Sequence, residues 1–164
     1  MIAQYEDPER DPLLAAPRLY GLGQAHKHLP EMAAVCGLSA PPVFCPVVAP
    51  YYAGMEVIVT LTAGQLSCRF SDLPEIYASY YGPSNGPVVS FIPSAEESGF
   101  LSASAYSGRD DMEITVCGNP DRILLISRFD NLGKGASGAA IQNLNLVLGL
   151  EETLGLALKP GGNS

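Results

Sequence analysis

The stretch "DMEITVCGNPDRILLISRFDN", residues 111–131, sets two apolar runs of strand length on either side of Gly118-Asn119-Pro120-Asp121. Each of those four residue types favours a turn for its own reason: free φ, a side chain that bonds nearby backbone, or a locked φ. The two runs are close enough to pair antiparallel, and this hairpin decides the fold class. Upstream, Met55, Val57, Val59 and Leu61 alternate with Glu56, Ile58 and Thr60, which predicts a strand with one clearly apolar face. "GPVVSFIPS", residues 86–94, reads as a short buried strand. Helices are few. Pro30 suits a first helical turn and Gly37 a stop, predicting a helix over 29–36. Ser71 is the candidate cap of a second, with Pro74 in its first turn and Gly82 after its end. Residues 1–16 lack periodicity and read as a surface loop, "PRLYGLG" as the entry to a short strand, and "APPVFCPVVAP" as extended by its prolines. The expected architecture is α+β, with a largely antiparallel or mixed sheet and a few helices.

Just beyond the hairpin, Gly133, Gly135 and Gly138 spell G-x-G-x-x-G between a strand and a helix. A dinucleotide fingerprint also needs a βαβ unit and an acidic residue about 20 positions further on. Only 26 residues follow Gly138, too few for a helix and a second strand, and Glu151 and Glu152 lie at the helix's end. A Walker-A reading fails as well, because Gly135 stands where Ser or Thr must follow Lys134. The glycines do not mark a nucleotide site. The helix after them is apolar all round, through Ala139, Ala140, Ile141, Leu144, Leu146, Val147, Leu148 and Leu150, which predicts burial on most sides. Gln142, Asn143 and Asn145 interrupt it. Buried amides need partners, either neighbouring backbone or a polar ligand or second domain.

A net charge of −8 with nine scattered basic residues speaks against nucleic acid, since phosphate neutralisation needs clustered Lys and Arg. Cys36, Cys45, Cys68 and Cys117 form no CxxC pair, so no zinc site is expected and they read as reduced core thiols. None lies at a helix start that would stabilise a thiolate. The opening "MIAQYEDPERDP" has no secretory pattern, and no apolar run reaches about 18 residues, which predicts a cytoplasmic chain off the membrane.

Both histidines fall in "HKHLPE": His26, Lys27, His28 and then Glu31. No further ligands complete a metal site around them. A carboxylate beside an imidazole can set its tautomer and raise its basicity, as a general base requires. The same residues also suit a polar cluster at the start of a helix.

"YGLGQAHKHLPEM", "FCPVVAPYYAGMEVIVTL" and "RFDNLGKGASGAAIQNLNLVLGLEETLGL" resemble the C-terminal part of N-acetyl-gamma-glutamyl-phosphate reductase, in its shorter, second type. The last segment carries the likeness most specifically, through Asp130-Asn131-Leu132, Lys134-Gly135-Ala136, Gly138-Ala139-Ala140 and Gln142-Asn143-Leu144-Asn145. The resemblance implies the substrate and dimerisation domain of the glyceraldehyde-3-phosphate dehydrogenase-like C-terminal fold over residues 1–132. It implies a helix over 133–156 that packs on a nucleotide domain, followed by a tail at 157–164; without that domain the helix is expected to show an exposed apolar patch, or to rearrange or self-associate. The activity implied is NADPH-dependent reduction of N-acetyl-glutamyl phosphate to N-acetyl-glutamate semialdehyde, in arginine biosynthesis. A cysteine thiolate attacks the acyl phosphate, phosphate leaves, and hydride reduces the thioester.

By the same resemblance, His26 assists the cysteine, and His28 and Glu31 support or bind substrate. Lys134 and Asn143 are the polar groups expected nearest the cofactor, and the sheet is expected to form a homo-oligomer. The family's Rossmann domain and its Asn-Pro-Gly-Cys nucleophile do not occur in these residues, and Met1-Ile2-Ala3 resembles an internal position of the family. The expectation is therefore a catalytic-domain fragment, inactive alone. The alternatives are a non-catalytic binding or dimerisation module, or one subunit of a split reductase.

Overall fold

The computed structural model describes residues 2–95 and 97–158. Two compact units make up the chain, residues 1–52 and 53–164. In the first, α1 (Ile2–Glu6) leads through a short 3-10 turn at Pro12–Ala15 to β1 (Arg18–Leu19). β1 pairs antiparallel with β2 (Val47–Val48), and α2 (His28–Cys36) lies between them in sequence. Gly37 closes α2 with a left-handed backbone whose N–H reaches the carbonyls of Ala33 and Ala34. The aperiodic start therefore contains a helical turn that sequence pattern alone did not predict.

The second unit is built on a four-stranded sheet in the order β3-β6-β5-β4, formed by β3 (Met55–Thr62), β4 (Val89–Phe91), β5 (Met112–Asn119) and β6 (Arg122–Phe129). β6 is antiparallel to both neighbours, while β4 joins β5 in parallel, so the sheet is mixed. The hairpin turn is held by Asn119, whose side-chain oxygen accepts from the amides of Asp121 and Arg122, both at 3.0 Å. That turn fixes the whole register, from Asn119 opposite Arg122 to Met112 opposite Phe129. Ile123, 1% exposed, and Ile126 anchor the core from the central strand.

α3 (Leu73–Tyr81) packs by β4, with Tyr77 stacked on Phe91 at 5.9 Å. Ser71 does not cap it. A 3-10 turn at Phe70–Asp72 precedes the helix, and Ser71 instead donates to Asp72, whose carboxylate also takes the Arg69 guanidinium and amide. The bidentate arginine is the stronger partner and draws the acid back.

α4 (Gly138–Leu148) follows a π-turn at Gly133–Ser137. The burial its composition asks for is not met within this chain, and the apolar patch expected where a further domain is lacking is open. Leu144, Leu146, Val147 and Leu148 are exposed, Val147 at 83%, and only Gly138 and Asn145 are buried along the helix. Within the described residues, the unit covers the base of the helix and leaves its apolar flanks open. The tail read at 157–164 lies outside the described residues from residue 159 onward.

Candidate functional site

The histidine segment sits in the first unit, between β1 and the chain that runs into β2. The β1–β2 pairing continues one step, with the Tyr20 amide donating to the Pro46 carbonyl at 3.0 Å. The chain then turns over residues 21–24 and enters α2. His26 precedes the helix and its carbonyl accepts the Leu29 amide at 3.0 Å, while Lys27 at the cap position makes no side-chain bond. The His26 ring does that work in part: its Nδ1 accepts the backbone N–H of His28 at 3.3 Å. A neutral imidazole with Nδ1 engaged as acceptor carries its proton on Nε2, so the free edge presents an N–H donor.

Three rings surround His26. His28 meets it edge-on at 4.7 Å, Phe44 lies tilted at 5.1 Å, and Tyr20 stands T-shaped at 6.0 Å. Phe44 also faces His28 at 6.5 Å. Glu31 is in the first turn of α2 and exposed, and among the described residues no hydrogen bond joins it to either histidine. The structure thus brings His26 and His28 together and leaves Glu31 apart from both. A shallow hollow in the same unit is lined by Asp7, Glu9, Arg10, Asp11 and Arg18 and includes neither histidine. Among the described residues no group of three or more His, Cys, Asp or Glu is placed to hold a metal.

Lys134 and Asn143 belong to the second unit. Lys134 Nζ donates to Gln142 Oε1 at 2.5 Å, and Gln142 in turn donates to Glu152 at 2.6 Å. Burial holds the Lys134 ammonium below its usual range, opposed by the charges of Glu152 and Asp110. Of the three helix amides, Asn145 is buried and donates to the carbonyls of Glu152 and Leu154, so neighbouring backbone satisfies it. Asn143 faces outward.

The glycines of G-x-G-x-x-G have another occupant. The first amides of the π-turn, on Leu132 and Gly133, donate to Asp130 Oδ1 at 2.6 and 2.9 Å, and Oδ2 takes the Gly108 amide. Burial would raise the Asp130 pKa, but these three amides outweigh it and hold the acid below its ordinary value. A helix start already filled by a buried carboxylate does not fit a pyrophosphate. Gly133 and Gly138 serve close packing: a Cβ at either would collide with the Asp110 carboxylate, and at Gly133 also with the Arg109 carbonyl. Asp110 itself is locked to the returning chain, its amide donating to Ala157 and its Oδ2 accepting in return.

The second unit also holds a buried charge cluster. Arg128, 3% exposed, donates through Nε to Glu113 at 2.6 Å and through Nη1 to Glu97 at 2.8 Å and the Ser102 carbonyl at 3.1 Å. Tyr106 donates to the other Glu113 oxygen at 2.7 Å, and burial together with that carboxylate drives its pKa far upward. Glu56, paired with Arg128 across β3–β6, is pushed above the usual carboxylate range by burial; Arg128 opposes the rise, and Glu113 and Glu97 add to it. The signal for this cluster was readable: an antiparallel turn at 119–122 places residue 113 opposite 128. Gln24 and Phe44 left no such trace, because neither belongs to a periodic pattern.

Residues 7–131 match the family model described as semialdehyde dehydrogenase, dimerisation domain. Among curated relatives, N-acetyl-gamma-glutamyl-phosphate reductase 2 of Nostoc sp. is 43% identical over 145 residues, covering 84% of this chain and 45% of that protein. An N-acetyl-gamma-glutamyl-phosphate reductase of Rhizobium leguminosarum bv. trifolii is 39% identical over 154 residues, covering 90% of this chain and 49% of its own length. The chain spans about half the length of the curated relatives it matches. The solved structure of aspartate semialdehyde dehydrogenase II from Vibrio cholerae shares the fold, with a TM-score of 0.52 at 16% identity over 80% of this chain and 39% of that one.

Proposed function

The chain belongs to the semialdehyde dehydrogenase dimerisation-domain family, and from this premise we propose that it is the substrate and dimerisation part of an NADPH-dependent reductase. The reaction is reduction of N-acetyl-glutamyl phosphate to N-acetyl-glutamate semialdehyde, a cytoplasmic step of arginine biosynthesis. The observation that carries this reading is the 43% identity over most of the chain to a reductase of that name. The geometry of the histidine pair supports it.

In the proposed division of labour, residues 1–132 bind substrate and self-associate, and 133–156 form the element that meets a nucleotide domain. His26 is the catalytic group. With Nδ1 occupied by the His28 amide, its Nε2–H is available to a developing thiolate or oxyanion, the arrangement that stabilises a reactive cysteine. His28 and Glu31 are exposed at the mouth of α2 and suit the polar ends of the substrate. NADPH would supply the hydride. The glycine stretch does not fit its pyrophosphate, so the cofactor would be held mainly by residues outside this sequence, with Lys134 and Asn143 as the nearest groups here. The open apolar flank of α4 supports a role in docking against such a domain. Residues 1–164 contain no Asn-Pro-Gly-Cys segment and by themselves would not turn substrate over.

The test is NADPH oxidation with the acyl phosphate by the complete protein that contains these residues. His26→Ala should slow thioester formation by about 10²-fold or more, the scale of a lost acid–base group, and His28→Ala far less. Equal losses would remove the reason to single out His26. Turnover by residues 1–164 alone would overturn the claim that the nucleophile lies elsewhere.

A further inference from the structure

Residue 24 is unusual twice over. Its backbone is left-handed, at φ +49°, where side-chain-bearing residues are uncommon and glycine is the ordinary choice. Gly21 and Gly23 stand in the same turn, yet position 24 holds a glutamine. Such a conformation persists only where the surroundings hold it, and it is found disproportionately near functional groups.

What holds it is the side chain. Gln24 Nε2 donates to the Phe44 carbonyl at 2.7 Å, and Gln24 Oε1 accepts the Phe44 amide at 2.9 Å. A primary amide offers one donor and one acceptor side by side, the same complement that a strand residue offers its partner. The Tyr20 amide on the Pro46 carbonyl is the last backbone rung next to the β1–β2 pair, and Gln24 supplies the following rung with its side chain. The residue so clamped is Phe44, whose ring lies against both His26 and His28.

We infer that Gln24 is a positioning residue for His26: by bonding both backbone groups of Phe44 it seats the phenyl ring that fixes the His26 imidazole on the α2 amide. This rests on the reading of His26 as the reacting histidine, and it adds a cause for the ring's orientation. With Phe44 seated, the His26 ring has one aromatic wall on each of several sides and its Nδ1 aimed at the His28 N–H. Without that wall, a half-exposed imidazole held by a single 3.3 Å bond exchanges between its two tautomers. Gln24 touches no reacting group and acts through Phe44.

The experiment is a long-range ¹H–¹⁵N correlation spectrum of the histidines at mildly alkaline pH, on this chain and on three variants. In the unmodified chain His26 should show one acceptor-type Nδ1 and one protonated Nε2. Gln24→Gly keeps the left-handed turn without strain but deletes the clamp. It should retain the circular dichroism of the folded chain while the His26 signals collapse to the averaged shifts of a free imidazole. Gln24→Glu keeps the acceptor for the Phe44 amide and loses the donor, and should fall between the two. Phe44→Leu keeps the backbone clamp and removes the ring; it should lose the tautomer as Gln24→Gly does, and it serves if the glycine variant does not fold. An unmodified chain with averaged His26 signals, or a Gln24→Gly or Phe44→Leu chain with an unchanged tautomer, would overturn the assignment. These spectra need no substrate, so a chain that passes them while a complete protein containing it reduces no acyl phosphate would sink the reductase reading alone.

Discussion

The histidine corner of residues 1–52 and the arginine cluster of residues 53–164 are both polar constellations, and they are built in opposite ways. Around Arg128 the guanidinium is buried and spread over backbone carbonyls and two carboxylates, Glu113 at 4% exposed and Glu97 at the more open edge. Around His26 the walls are aromatic, the one hydrogen bond to the ring among the described residues is 3.3 Å long, and His28 and Glu31 are exposed. Ionic groups removed from water must be fully paired, because a lone buried charge costs several kcal/mol. A group that is to exchange a proton must keep a lone pair or an N–H uncommitted. The contrast separates residues that hold the fold from residues left available.

The largest effect should come from Arg128→Ala, which strands Glu113 in the core. Loss of one partner of a buried pair costs about 3–5 kcal/mol, and urea unfolding of the variant checks it. A loss below about 1 kcal/mol would place the cluster with surface ion pairs and dissolve the contrast.

Asp130→Ala comes next, at about 1–3 kcal/mol for buried amides left without an acceptor. Its pH dependence sharpens the point. The folded pKa of Asp130 lies below its unfolded value. Its stabilisation is therefore complete above the unfolded pKa, near 4, and fades as pH falls through the folded one. Glu56 runs the other way. Its folded pKa is raised, so stability declines as pH climbs from the unfolded value through the folded one. Comparing urea midpoints of the unmodified chain and Asp130→Asn across acid pH should show their difference shrinking on acidification. A constant difference would contradict the assignment.

β3 tests whether exposure in the second unit also marks availability. Met55, Val57 and Val59 alternate along an edge strand and are all exposed, the kind of surface a second copy of a dimerisation domain would cover. Val59→Lys should leave the monomer's stability within about 0.5 kcal/mol, as surface changes do, and lower the sedimenting mass. Unchanged association would move the contact off this strand. Comparably small should be the effect of His26→Ala on stability, about 0.5 kcal/mol, the low end for a lost helix cap because its one cap bond is 3.3 Å long. A thermal shift as large as that of Asp130→Ala would make His26 a structural residue and erase the comparison.

Much of the second unit was legible in the sequence. Asn119 in the turn sets the hairpin register, and the register alone places Glu113 against Arg128. The histidine pair was legible too, by its isolation in one motif. Composition asks for burial of α4 on most sides, and the open flank was expected only through the family resemblance, because an all-round apolar helix declares that something must cover it without saying what. The glycines of residues 133–138 were legible as a motif, but their close packing depends on Asp110, more than twenty positions upstream.

Local chemistry therefore determined the hairpin, the mixed α+β architecture and the candidate histidines, since turn residues and period-2 alternation act within a few positions. Tertiary structure alone decided that Asp130 fills the helix start, that Asp110 needs the space of Gly133 and Gly138, and that Gln24 reaches Phe44 to wall in His26. The Gly108 bond to Asp130, the Asp110 contacts and the Gln24–Phe44 clamp join residues twenty or more positions apart through single side-chain groups, and no periodic pattern in the chain records where such groups meet.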